Sequence, residues 1–353
     1  MTTPMTLVVG DPANNQLGRV QSVYRTALEA GYRPRVLTTV RGTTTWAPLR
    51  GSDVDLVLER VDPRHLPAAL AAGTGPVVVV KPRWDSLGAL MSATGGAPPA
   101  GPVVVDVDDP DLEELRADVR RQFRTSPGRA VVRWRRYARM RSAVRAHTCT
   151  VSNPVLHRTY GGLVLPHARP DRGPGLPHTT QQPTVAFIGS PKPHKGLDLL
   201  RAAVARLAHL GYRLVVTAEP VGPVPPWERW TGPLDEASSM ELLQTSDVVA
   251  LPSLDRGWGR AQLPMKLVDA MLAGRAVVAS RIEPISWALA GSGVLVAPGS
   301  ETELVDALVA VGDPHERQRL GDRARQLALG TFTPAALAPT LLRAVEEAAR
   351  RLP

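Results

Sequence analysis

The chain has 353 residues, 43% of them hydrophobic, a length that suits two domains of ordinary size better than one core. A single cysteine, Cys149, excludes an internal disulfide and any cysteine zinc cluster; it sits in a strand-like stretch and reads as a buried, inert thiol. The net charge of +9 is carried almost wholly by arginine, and no recognition module accompanies it, so no nucleic-acid partner is expected.

The N-terminus, Met1-Thr2-Thr3-Pro4, runs straight into the strand-like Thr6-Leu7-Val8-Val9-Gly10 and lacks the charged start and apolar core of a signal peptide. No run of about eighteen apolar residues predicts a membrane-spanning helix. A cytoplasmic location is expected. Short Val/Leu-rich runs then alternate with longer amphipathic stretches, the pattern of an α/β doubly wound fold. Strands are predicted at 6–10, 34–39, 54–58, 76–81, 102–107, 148–152 and 163–165, and helices at 18–31, 111–124, 130–146 and 153–160. The unbroken Val77-Val78-Val79-Val80 predicts a strand covered on both faces.

Residues 168–183 hold four prolines and two glycines without apolar periodicity, which predicts an interdomain linker between a first domain, 1–167, and a second, 184–333. The second series has strands at 184–189, 213–218, 247–251, 276–280 and 293–297. Its helices are predicted at 195–209, 235–244, 263–273, 283–290, 301–311 and 314–329, and a last one at 334–351. The expectation is two Rossmann-like domains with a ligand in the crevice between them, at the carboxyl ends of the strands.

Two segments carry the chemistry. In Phe187-Ile188-Gly189-Ser190-Pro191-Lys192-Pro193-His194-Lys195-Gly196 a strand passes into a helix. Glycine permits close backbone approach, the helix start offers free amides, and Lys195 adds a mobile cation where a diphosphate would lie. The alternative is a surface turn with incidental lysines. The Gly-Lys-Ser/Thr ending of a Walker A loop is absent. The second segment runs from Leu251-Pro252-Ser253 through Asp255-Arg256-Gly257-Trp258-Gly259-Arg260 to Pro264-Met265-Lys266-Leu267-Val268-Asp269. Pro264 is expected in a helical first turn and Gly274 at the helix end. Lys266 and Asp269, three apart, share a face: the cation suits a phosphate and the carboxylate a ribose diol, unless the two are only a surface ion pair. The four lysines, Lys81, Lys192, Lys195 and Lys266, stand out against the arginine background, and three of them fall in these segments.

The order Gly189-x5-Lys195-Gly196, Pro252-Ser253, Gly257-Trp258-Gly259, then Pro264-x-Lys266-x-x-Asp269-x-Met271-x-x-Gly274-x-x-Val277-Val278-Ala279-Ser280, then Gly293-Val294-Leu295-Val296-x-Pro298-Gly299 resembles the donor domain of the GT-B retaining glycosyltransferases of family four, glycosyltransferase group 1. The match covers 184–300; the remainder agrees in layout, including a terminal helix, 334–353, that crosses back to the first domain. The resemblance implies a retaining, metal-independent transfer of a sugar from a nucleotide-diphosphate sugar to a small-molecule, glycan or lipid-linked acceptor, with no other cofactor. It implies that Lys195 pairs with the donor diphosphate and acts in catalysis. Gly257, Trp258 and Gly259, with Arg260 beside them, would approach the sugar and β-phosphate, and Asp269 would hold the ribose in place of a glutamate. Ser190 stands where the family often has arginine, with Lys192 as a substitute. Ala261 stands where it has a sugar-contacting acid, leaving Asp255 or the loop amides to make that contact.

In the first domain, Val105-Asp106-Val107-Asp108-Asp109-Pro110 follows a strand. Asp108 and Asp109 are candidates for a role near the acceptor or reacting carbon; a metal motif and a plain helix-capping turn are the alternatives. The loop from Gly10 to Gly18-Arg19, and His167 and Arg169 after the last strand, are acceptor-side candidates. Between Arg116 and Arg145 lie eleven arginines with Trp134, Tyr137 and Met140 among them, a stretch that could meet an anionic membrane surface or acceptor, or be a solvated helix. Two other functions share the layout: a non-hydrolysing sugar-nucleotide epimerase, which needs acids that Ala261 lacks, and a non-catalytic nucleotide-sugar-binding partner or scaffold.

Overall fold

A computed structural model describes residues 3–13, 15–40, 46, 49, 56–73, 75–94, 101–220 and 222–352. The chain forms two compact units, the first built from residues up to 168 together with 334–353, the second mainly from 169–333.

Among the described residues the first unit has seven strands: β1 (Thr3–Val9), β2 (Tyr32–Thr38), β3 (Leu58–Arg60), β4 (Val77–Val80), β5 (Val103–Val107), β6 (Thr148–Val151) and β7 (Leu163–Val164). They form one parallel sheet in the order β3-β2-β1-β4-β5-β6-β7. Its helices are α1 (Gln16–Glu29), α2 (Leu66–Ala71), α3 (Leu87–Ala93), α4 (Asp111–Gln122), α5 (Pro127–Ala146) and α6 (Pro154–Tyr160). Every residue of β4, β5 and β6 is buried, as a strand covered on both faces requires.

The second unit has β8 (Thr184–Phe187), β9 (Arg213–Val216), β10 (Glu228–Trp230), β11 (Val248–Leu251), β12 (Ala276–Ser280) and β13 (Val294–Val296). These too form a parallel sheet, β10-β9-β8-β11-β12-β13. Helices α7 (Leu197–Leu207), α8 (Glu236–Thr245), α9 (Met265–Leu272), α10 (Glu283–Leu289), α11 (Glu301–Ala310) and α12 (Pro314–Thr331) cover it. The last helix, α13 (Pro334–Ala349), belongs to the first unit, where Leu337, Leu341, Ala344 and Val345 join the core formed by Leu17, Val20 and Val23 of α1.

Each sheet reverses its winding once, between β1 and β4 in the first unit and between β8 and β11 in the second. Ligands of open α/β sheets bind outside the carboxyl ends of the strands at such a reversal. The two chemistry-bearing segments of the second unit follow β8 and β11, so topology brings them side by side.

The sequence pattern misplaced several small elements. Residues 54 and 55 of the strand expected at 54–58 lie outside the described residues, and β3 is Leu58–Arg60. The short helices α2 and α3 and the three-residue edge strand β10 have no counterpart in the pattern. Pro264 is the extended residue before α9 rather than a member of its first turn. Residues 169–183 contain no helix or strand and are fastened along the second unit. Gly175 and Leu176 donate to the carbonyls of Ala273 and Gln244, and the buried His178 ring lies 3.2 Å from the Gly274 carbonyl.

Candidate functional site

In the second unit Gly189 ends the β8 loop with φ +122, and its amide donates to Thr217 Oγ1 at 2.8 Å. The backbone then winds through turns in which Lys192 N donates to the Ser190 carbonyl and Lys195 N to that of Lys192. This folds the chain back so that Lys195 Nζ lies 3.1 Å from where a Gly189 side chain would begin. Gly196, at φ +69, opens α7, and a Cβ there would lie 2.1 Å from the Pro252 carbonyl oxygen. Only glycine fits, on both counts.

The loop after β11 is pinned against that turn. Leu254 N donates to the His194 carbonyl at 2.7 Å, and Arg256 Nη2 to that of Pro193 at 3.3 Å. Residues 257–260 form a single 3-10 turn: Gly257 has φ +52, and a Cβ on Gly259 would lie 2.4 Å from the Leu254 carbonyl oxygen. Asp255 and Arg260 are exposed and face each other, with Arg260 Nε donating to the Asp255 carbonyl at 3.1 Å and lying 3.4 Å from its carboxylate. The structure thus brings together Gly189, Lys195, Gly257 and Gly259 on two loops joined through their backbones. Helix α7 starts beside them, with its free amides and partial positive charge available to an anion.

Asp269, on α9, is 1% exposed. It accepts from Arg169 Nε at 2.5 Å and from Lys266 Nζ at 3.1 Å, so the three-residue spacing from Lys266 is realised as an ion pair. Burial works against its charge, but Arg169 and Lys266 outweigh it and hold the carboxyl at about 2. Arg169 also donates to Glu236 Oε1 at 2.9 Å, and Arg172 approaches the same oxygen at 3.1 Å. Arg169, read from sequence as an acceptor-side residue, is therefore a buried member of the second unit whose guanidinium belongs to Asp269 and Glu236. Two oxygens engaged on one carboxylate still leave lone pairs for a hydroxyl.

In the first unit the carboxyl ends of β4 and β5 carry a second constellation. Lys81 directly follows β4, is 2% exposed, and has φ +62, a conformation that non-glycine residues adopt rarely and at some cost. Its ammonium lies 2.9 Å from Asp108, 2.6 Å from Asp109 and 3.7 Å from Asp111. Burial alone would lower the Lys81 pKa, but the three carboxylates more than reverse that and raise it, so the ammonium is charged. Burial pushes the Asp108 carboxyl up to about 7 against the pull of Lys81, with Asp109 adding to the rise. These three aspartates have the spacing of a cation site, and the position among them is filled by the lysine.

The other acceptor-side candidates, Gly18, Arg19 and His167, are all buried. Arg19 is 1% exposed, grips Asp106 through Nε and Nη2 at 2.8 and 2.7 Å, and donates to the carbonyls of Pro166 and Leu165. It ties α1 to β5 and to the end of β7. Gly18 lies inside α1 and His167 is 4% exposed. Lys81 was missed as a site residue by sequence reasoning, as were Glu236 and Thr217. Cys149 is buried with its thiol pushed up to about 12, in keeping with an inert role.

Residues 182–313 match the model of the family described as glycosyl transferases group 1. The MMP α-(1→4)-mannosyltransferase of Mycolicibacterium hassiacum is 29% identical over 184 residues, 48% of this chain and 44% of that one. The D-inositol 3-phosphate glycosyltransferase of Corynebacterium glutamicum is 30% identical over 189 residues, 47% of this chain and 43% of that one. Either match thus spans less than half of the curated relative. Anabaena HepE, solved in complex with UDP-glucose, superposes with a TM-score of 0.66 at 14% identity, covering 98% of this chain and 100% of that one. Residues 182–313 are accordingly similar to the glycosyl transferases group 1, and the chain as a whole has the GT-B fold.

Proposed function

We propose that the chain transfers a sugar from a nucleotide-diphosphate sugar to an acceptor hydroxyl, retaining the anomeric configuration and using no metal. The observation that carries this reading is the joining of the two loops after β8 and β11, which sets Lys195 over Gly189 beside the turn 257–259. A leaving diphosphate gathers negative charge as the glycosidic bond opens, and fixed cations and amides aimed at it lower the barrier. Lys195 supplies a cation, Lys192 and Ser190 the rim of the turn, and Gly257 and Trp258 the amides, that of Gly259 being given to the Arg256 carbonyl. Asp269, held by Lys266 and Arg169, takes the ribose hydroxyls, and Asp255 with Arg260 flanks the sugar. HepE, of like fold, has been solved with UDP-glucose, and the two curated relatives are named as glycosyltransferases, which supports the same class of donor.

On the acceptor side we assign Asp108 and Asp109. A carboxyl pushed up to about 7 by burial is poised to accept a proton near neutrality. Metal independence is supported by Lys81, whose ammonium already stands among the three aspartates. Gly18, Arg19, His167 and Arg169 would then shape the fold around the site rather than touch the acceptor.

The test is to incubate the protein with a panel of nucleotide-diphosphate sugars and follow the products by mass spectrometry. Slow release of nucleoside diphosphate, speeded by an acceptor, is the expected result. An isomeric sugar nucleotide would assign an epimerase instead, and binding without turnover a scaffold.

A further inference from the structure

The connection from β5 to β6 runs through the antiparallel pair α4 and α5, and α5 has an unusual surface. It carries seven arginines and no acidic residue. Among the described residues only Arg133 of these seven pairs with a carboxylate, Asp118, at 3.7 Å. Ala130, Tyr137, Met140 and Val144 form its buried face. The opposite crest, Val131, Arg135, Ala138, Ser142 and Arg145, is exposed throughout.

Apolar side chains stand out among these charges. Val132 is 51% exposed, Val131 40% and Trp134 39%, and Phe123 at the end of α4 is 42% exposed. Beside them Trp84, in the loop after β4, is stacked by Arg136 with 4.9 Å between guanidinium and ring, and Arg139 lies at 5.9 Å. These two guanidinia are therefore held in place over a partly exposed indole.

We propose that this face of the first unit docks onto an anionic lipid bilayer. Arginines without carboxylate partners are complementary to lipid phosphates, and each adds to the attraction near a charged surface. Nucleic acid would satisfy the charge equally, but it offers nothing to exposed Val131 and Val132, whereas the boundary of headgroups and acyl chains takes up both valine and tryptophan. Docking through α5 sets Trp84, three residues after Lys81, beside the headgroups. The carboxyl ends of β4 and β5, assigned above to the acceptor, would then lie close to a membrane-borne acceptor. The surface itself does not rest on the transferase reading.

The experiment is co-flotation of the full chain with phosphatidylcholine vesicles, with and without a third of phosphatidylglycerol, at two salt concentrations and without donor. Binding only to the vesicles containing phosphatidylglycerol, weakened by salt, is the expected result. Arg135→Glu, Arg139→Glu and Arg145→Glu together should weaken it by about a hundredfold or more, at roughly fivefold for each arginine lost. Val131→Ser with Val132→Ser should weaken it further than an equal change in salt sensitivity explains. All five positions are exposed, so thermal unfolding, followed in parallel, should stay as in the parent. Equal binding to both vesicles, no binding to either, or tighter binding to single-stranded RNA than to phosphatidylglycerol would overturn the proposal. Because no donor is present, none of these outcomes bears on transfer.

Discussion

Replacing Lys195 with alanine should lower turnover of a nucleotide-diphosphate sugar about a hundredfold, the typical effect of losing one preorganised donor to a developing anion. The side chain is folded back over Gly189, on a turn whose shape is fixed by Gly196 and by the His194–Leu254 backbone hydrogen bond. Its charge is thus placed before the substrate arrives. A charge that acts mainly as the bond opens changes kcat more than KM, and this is the pattern to look for in steady-state kinetics. Lys195 is only half-buried and lies on a surface turn, so the melting temperature should move little. Unchanged turnover in a folded Lys195→Ala protein would refute the donor assignment. Arginine in its place should restore part of the rate.

The largest effect on stability is expected from Lys81→Met. Removing one partner from a buried ion pair leaves the other charge stranded and costs about 3–5 kcal/mol. Here three carboxylates lose the same ammonium. In the variant Asp108, Asp109 and Asp111 should all titrate above the ordinary carboxylate range, since burial and mutual repulsion would act without the lysine. Their folded pKa values then exceed the unfolded ones, so protons are taken up on folding. The sign follows: the contribution of these three groups to stability is greatest below about pH 4, near the pKa of an ordinary aspartate, and falls as pH rises toward and past neutrality. Urea unfolding at pH 5 and pH 8 measures it, and a loss of the same size at both would show that the cluster is not what Lys81 holds. The vacated position should also accept a divalent cation, since the three carboxylates offer oxygens within 4.8 Å of one another. Added calcium should therefore raise the midpoint of the variant and leave that of the parent in place.

How much of this the residues disclose depends on the range over which each signal acts. The strands of both sheets are legible because a buried parallel strand must be apolar on both faces, as in Val77–Val80 and Ala276–Ser280. Short elements escape. Glu228-Arg229-Trp230 pairs only with β9 at the sheet edge, and nothing in its composition marks a strand. In α2 and α3, Pro67 and Gly88 mask helices of six and seven residues. The turns after β8 and β11 were legible because glycine spacing is local and the backbone demands it at Gly189, Gly196 and Gly257. Arg169 was not: its partner is a hundred positions away, and proximity to the last strand of the first half pointed to the wrong neighbours. Lys81 could have been found. The lysine rarity that drew attention to Lys192, Lys195 and Lys266 applies to it equally, and a lysine closing a run of four valines is buried by position alone.

The grip of Arg169 on Asp269 also decides where the second unit can be cut. Sequence similarity to the family begins at residue 182, but the cation that keeps the buried Asp269 charged enters thirteen residues earlier. A fragment starting at 182 would also lose Arg172 from Glu236 and the belt that fastens His178 to the Gly274 carbonyl. The smallest self-sufficient form of this unit is therefore longer than the region recognised by similarity, and its amino-terminal limit is an electrostatic one.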